Sequence, residues 1–264
     1  MLTIEEQLLY TTLKIECFDE HEQLYSMGTG FLLECPVGDN KFKMFLVSNR
    51  HVLEGPKSIA VTFTRIKDGK PDHGNTITVP IHDVDRAVVG HPNPDVDVAV
   101  LNCSLIFRMM PEHLYIKSVS YDMLSDFTEP ELNVAENVLF VGYPDNRYDI
   151  INNLPLIRQG LIASHPKYNF NGEPVFIIDA QVFPGSSGSP VYIDLTLENM
   201  KKGIIKEGPK KLKLLGIVAR TMIRNNKLSF ASTGMIPVTE EVIGLGMVFK
   251  STVIKEVIKS VLED

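Results

Sequence analysis

A succession of short apolar runs, each closed by a turn-forming cluster, constrains this chain more than any other feature. In the first half the runs fall at residues 24–35, 42–49, 57–65, 76–82 and 97–103. Signals such as Val37-Gly38-Asp39-Asn40 and Asp68-Gly69-Lys70-Pro71 punctuate them. In the second half they fall at 137–142, 156–164, 174–181, 190–195, 213–222 and 245–250. Apolar runs of this length between Gly, Pro, Asn and Asp predict strands. Many such strands predict an all-β fold closed into barrels. Two sets of about six predict two barrels, with residues 104–135, irregular and rich in Met, Ser and acids, as the crossover. Two helices are expected to flank them. Thr3 and Glu6 have capping-box spacing. After Ser251, the residues Val253, Ile254, Val257, Ile258, Val261 and Leu262 share one helical face. The expected division is 1–110 for the N-terminal helix and first barrel, 111–136 for the crossover, and 137–264 for the second barrel and C-terminal helix.

Composition narrows the class. With 264 residues and 44% hydrophobic content the chain can bury a sizeable core. No run of about 18 apolar residues occurs, so no membrane span is expected. The start, Met1-Leu2-Thr3-Ile4-Glu5-Glu6-Gln7, is acidic and lacks the basic and apolar regions of a secretory signal, so a cytoplasmic location is expected. Cys17, Cys35 and Cys103 are odd in number and widely spaced, which reads as buried reduced thiols. None has metal-ligand spacing or lies in a glycine turn, so neither a metal nor a cofactor is expected. A net charge of −7 argues against nucleic acid as a partner. The basic cluster Lys201, Lys202, Lys206, Lys210, Lys211 and Lys213 reads as a solvated hairpin loop, the alternative being a docking patch for an acidic partner.

The chemistry concentrates in Phe183-Pro184-Gly185-Ser186-Ser187-Gly188-Ser189-Pro190. Here a serine sits in a tight glycine loop ahead of the strand-like Val191-Tyr192-Ile193. Glycines accept positive φ and bring backbone N–H groups close to a substrate, where they can stabilise a developing oxyanion. Ser187 is preferred over Ser186 and Ser189, because Gly188 follows it and Gly185, two residues before, can supply an oxyanion N–H. A serine nucleophile needs a histidine base and a carboxylate to fix that histidine's tautomer. Phe45-Leu46-Val47-Ser48-Asn49-Arg50-His51 reads as a strand ending at the base. Asp97 opens the apolar run Val98-Ala99-Val100-Leu101, where a buried acid needs a donor. Asp95 reads instead as the cap of the Pro92-Asn93-Pro94 turn. His91, His113 and His165 read as structural or exposed.

The order His51, Asp97, Ser187 resembles the trypsin-like (chymotrypsin-fold) serine peptidases. It is most similar to the bacterial HtrA-like and glutamyl-endopeptidase branches, without a PDZ module. Gly28-Thr29-Gly30-Phe31, Asn49-Arg50-His51-Val52, Asp97-Val98-Ala99-Val100-Leu101, Gly185-Ser186-Ser187-Gly188-Ser189-Pro190-Val191, Leu214-Leu215-Gly216-Ile217-Val218 and Gly244-Leu245-Gly246-Met247-Val248-Phe249 resemble successive segments of that family. The resemblance implies two six-stranded antiparallel barrels with the site between them. It implies His51 as base, Asp97 as its partner, Ser187 as nucleophile, and the N–H groups of Gly185 and Ser187 as oxyanion donors. The substrate would be a polypeptide, within an intracellular processing, quality-control or defence role. Gln181 and Val182 would lie near the base of the primary pocket, where no acid is placed to bind Lys or Arg. Ala219, Arg220 and Thr221 would pair with the peptide, and Arg220 either meets an acidic side chain or faces solvent. One departure matters. Activated trypsins pair a new N-terminus with an aspartate just before the serine, but here that residue is Ser186, and no Ile-Val-Gly-Gly start is present. The oxyanion loop must then be set by packing or by a partner. The loop 142–160 would wall the site or regulate it. A latent peptide-binding or scaffold module and a serine esterase are the alternatives.

Overall fold

The computed structural model describes residues 2–39, 41–110, 112–196, 211–227 and 238–263, with side chains left aside at 224–227 and 238–241. Lys201, Lys202, Lys206 and Lys210 therefore lie outside the described residues. Lys211 is exposed, and Lys213 donates to the Asp122 carbonyl at 2.8 Å.

The first half opens with helix α1 (Ile4–Thr11), whose capping box forms as expected between Thr3 and Glu6. It runs directly into β1 (Thr12–Phe18), a strand the sequence conceals. Lys14 and Glu16 break its apolar pattern, yet Lys14 is buried, where it pairs with Glu16 at 3.0 Å and donates to the Tyr148 hydroxyl at 3.0 Å. Then come β2 (Leu24–Pro36), β3 (Phe42–Ser48), β4 (Ser58–Lys67), β5 (Lys70–His82), β6 (Val88–Gly90), β7 (Ala99–Asn102) and β8 (Val119–Ser120). They form an eight-stranded sheet in the order β5-β4-β1-β2-β3-β7-β6, with β8 parallel to β2. The expected six-stranded barrel is here a curled sheet whose end strands share no ladder. Side chains close it instead, around Ile15, Leu32, Leu46, Val61, Phe63 and Leu101. The crossover is also less irregular than expected. It holds a short helix at Ser104–Met109 and the strand β8.

The second half follows expectation more closely. β9 (Asn137–Gly142), β10 (Leu156–Ile162), β11 (Val175–Asp179), β12 (Pro190–Asp194), β13 (Leu212–Lys227) and β14 (Val238–Lys250) close into a barrel in the order β10-β11-β14-β13-β12-β9. Phe140, Phe176, Ile178, Val191, Leu215 and Val248 fill it. β13 and β14 outrun their apolar segments because their outer ends, Arg224–Lys227 and Val238–Glu241, pair with each other.

A third cluster joins the two units. Phe31, Phe45, Val98 and Val100 from the first meet Val141, Tyr192, Ile217 and Phe249 from the second. The C-terminal helix (Ser251–Glu263) seals this cluster with Val253, Ile254, Val257 and Ile258. The fold is thus all-β, of two chymotrypsin-type units, with short terminal helices. Among the described residues no helix is long and apolar enough to cross a membrane.

Candidate active site

Strand β3 delivers the histidine. Phe45, Leu46 and Val47 are fully buried, and the strand stops at Ser48. Asn49 turns the chain into the one-turn helix α2 (Arg50–Leu53), so His51 stands on a helix rather than at a strand end. Val52 and Leu53 bury the inner face of that turn and leave His51 outside.

Asp97 lies between the buried Val96 and Val98, two residues ahead of β7 rather than at its first position. Its Oδ1 accepts the His51 backbone N–H at 2.9 Å, and its Oδ2 meets His51 Nδ1 at 2.6 Å. Asn49 Nδ2 donates to the Asp97 carbonyl at 2.7 Å. An ionised carboxylate can only accept, so Nδ1 carries the proton and Nε2 is left as the acceptor of a neutral ring. The side chains are 53% and 33% exposed, so the pair adds little stability and its effect is orientation. Behind it, the Arg50 guanidinium donates to the His91 carbonyl and pairs with Glu54 at 3.0 Å. The buried His91 accepts the Asn93 N–H on Nδ1 at 3.0 Å, so its Nε2–H donates to Glu256 of the C-terminal helix at 2.9 Å. His91 is therefore structural. The turn at Pro92–Pro94 is capped by Asn93, whose Oδ1 accepts the Asp95 N–H at 3.0 Å, and not by the Asp95 side chain.

The serine loop is two consecutive turns. Ser186 N–H donates to the Phe183 carbonyl at 3.0 Å, with Gly185 at φ +83°, as a type II turn requires of its third residue. The Pro184 carbonyl accepts the Asp145 N–H at 2.6 Å. Across a trans peptide the N–H points opposite to the carbonyl, so the Gly185 N–H faces away from Asp145. Ser189 N–H then donates to the Ser186 carbonyl at 3.0 Å. Gly188 sits at φ +86°, where an added Cβ would overlap the Thr29 carbonyl oxygen. Among the hydrogen bonds of the described residues, the Gly185 and Ser187 N–H groups donate to nothing.

Ser187 Oγ donates to the Ala219 carbonyl at 3.2 Å, and no hydrogen bond joins it to His51 among the described residues. Ala219 is the extra residue of a bulge in β13, so its carbonyl stands free of the ladder. The rival hydroxyls of Ser186 and Ser189 are fully buried and have no partner among the described residues. Gln181 and Arg220 are exposed and Thr221 is half-buried. Val182 is instead withdrawn into the barrel core beside Gly246. The segment after β9 is stitched to the first unit, Asn153 donating to the Thr62 carbonyl at 3.0 Å, which suits a wall.

Sequence reading passed over Thr29, Ser48 and Asn49, all fully buried. Ser48 Oγ donates to the Thr29 carbonyl at 2.6 Å, and Thr29 N–H donates to the Ser187 carbonyl at 2.9 Å. The available signal was a run of small polar residues on otherwise apolar strands. Because Gly28 abuts Val52 while Thr29 abuts Ser187, β2 brings the histidine helix and the serine loop to adjacent positions.

Among solved structures the chain is similar to the Rv3671c protease of M. tuberculosis in its active form. The TM-score is 0.51 at 19% identity, over 96% of this chain and 81% of that one. It is also similar to the scabies mite inactivated protease paralogue S-I1, with a TM-score of 0.52 at 14% identity, over 97% and 96%. At such identities the likeness is one of fold. No curated protein matches the chain. The family model of the trypsin-like peptidase domain matches residues 28–196, a stretch that includes His51, Asp97 and Ser187. The chain belongs to the trypsin-like peptidase domain family.

Proposed function

We propose that the protein is a serine endopeptidase acting through Ser187, His51 and Asp97. The observation that carries this reading is the double engagement of Asp97 with His51, which fixes the ring's tautomer and leaves Nε2 as a base. Ser187 Oγ attacks the scissile carbonyl while His51 Nε2 takes its proton. The Gly185 and Ser187 N–H groups, which have no other acceptor among the described residues, receive the oxyanion. His51 then protonates the leaving amine, and water, deprotonated by the same ring, releases the acyl-enzyme. Polypeptide is the substrate class. The peptide would pair with Ala219, Arg220 and Thr221 and present a side chain towards Gln181, with Arg220 favouring acidic residues there. Three buried free thiols suit work in the reducing cytoplasm.

Labelling with a fluorophosphonate probe tests the reading. The folded wild-type chain should be labelled, and Ser187→Ala and heat-denatured protein should not. Peptide hydrolysis should fall by about 10³-fold or more in Ser187→Ala. One observation favours a second reading, a latent peptide-binding module: Ser187 Oγ donates to Ala219 rather than to His51. Folded wild-type protein that binds peptides and resists the probe would establish it. Turnover of esters without peptides would identify an esterase.

A further inference from the structure

The peptide planes that follow Gly185 and Ser187, the two residues supplying the oxyanion donors, are held from outside the barrel that carries them. Thr29, on β2 of the first unit, is 0% exposed. Its hydroxyl donates to the Gly185 carbonyl at 2.7 Å and accepts the Tyr143 N–H at 3.2 Å. Its own N–H donates to the Ser187 carbonyl at 2.9 Å. Its carbonyl accepts from Ser48, three residues before His51.

These bonds have distinct effects. Gly185 lies between two peptide planes. The preceding plane carries the Gly185 N–H and is held through the Pro184 carbonyl by Asp145. The following plane is held by the Thr29 hydroxyl. Turning the Gly185 N–H out of the site means rotating one plane against the other, so pinning both resists the flip. The same hydroxyl also holds Tyr143, two residues before Asp145, and thereby supports both sides of the Asp145–Pro184 contact. The approach is close, because a Cβ on Gly185 would lie 2.5 Å from the Tyr143 carbonyl oxygen. Within its own barrel the loop has no charged anchor at the residue before the nucleophile. Ser186 is neutral, and its buried hydroxyl has no partner among the described residues.

We propose that Thr29 is a positioning residue that keeps the Gly185 N–H turned into the site without an activating cleavage. It makes the working conformation of the serine loop conditional on docking of the two units. This inference rests on the serine-peptidase reading above.

The test separates affinity from bond formation in fluorophosphonate labelling, with thermal melting as a check on folding. Thr29→Val keeps the shape of the side chain and removes its donor and acceptor, whereas Thr29→Ser keeps the hydroxyl. Thr29→Val should lower the bond-forming rate constant about 10- to 100-fold, towards the loss of one oxyanion donor, with probe affinity within about threefold of wild type. Thr29→Ser should restore the rate constant to within about threefold. Thr29→Ala, which only removes atoms, should repeat the Val result and replaces it if Val does not fold. The inference is overturned if Val or Ala labels at the wild-type rate, if Ser loses as much as Val, or if the loss lies in probe affinity. Wild-type protein that resists the probe would sink the peptidase reading as well. A labelled wild type with an equally reactive Thr29→Val sinks only the role of Thr29.

Discussion

Asp97 gives both carboxylate oxygens to one neighbour, and this makes a sharp substitution possible. In Asp97→Asn the amide oxygen can accept only one of the two His51 N–H groups. The amide NH₂ would face the other nitrogen, and where that is Nδ1 the proton is driven to Nε2, away from the base position. Labelling should slow by about 10³- to 10⁴-fold. The melting temperature should change little, because the pair is half exposed. Both are read on the same purified variant, and unchanged labelling would remove Asp97 from its role. At this scale the sequence was most legible where chemistry restricts residue type: only a histidine, an acid and a serine in a glycine turn suit the three positions. Thr29, Ser48 and Asn49 stood out only as small polar residues in apolar segments, and their roles were not legible, because their partners are backbone groups brought near by tertiary contact alone. A buried Thr on a strand looks like any other β-branched residue.

Elements were legible in proportion to their apolar patterning. Four strands of the second barrel follow their runs and two, β13 and β14, extend beyond theirs, while the C-terminal helix follows its stripe. β1 was hidden by Lys14 and Glu16: Lys14 is buried with Glu16 and the hydroxyl of Tyr148, far along the chain, as its partners. Closure of the first sheet by side chains rather than by a ladder cannot be read from strand count at all. The helix stripe invites a comparison between its buried middle and its exposed end. Ile254 is fully buried among residues of both units, so Ile254→Ala should cost about 2–5 kcal/mol. Leu262, at the exposed end, should cost about 0.5 kcal/mol or less when shortened to Ala. Denaturant midpoints measure both, and equal effects would mean that the helix does not seal the junction.

Across the whole molecule, burial controls the thiols. It pushes Cys17, Cys35 and Cys103 from 9.0 up to about 12, since a thiolate cannot be solvated there. None should react with Ellman's reagent at pH 8 in the native state, and all should react once the chain is unfolded. Unfolded thiols ionise from about pH 9, whereas folded ones stay protonated to about 12. Their contribution to stability is therefore complete below pH 9 and is lost as pH rises towards 12. Melting at pH 7.5 and pH 10 should show the loss, and a higher melting point at pH 10 would contradict it. The division of the site has a further consequence. His51 and Asp97 belong to one half of the chain and Ser187 to the other, while a shared apolar cluster draws the halves together. Severed within the crossover, the molecule would become a coincidence reporter: two inert fragments whose reassociation is written onto a single serine as a covalent mark.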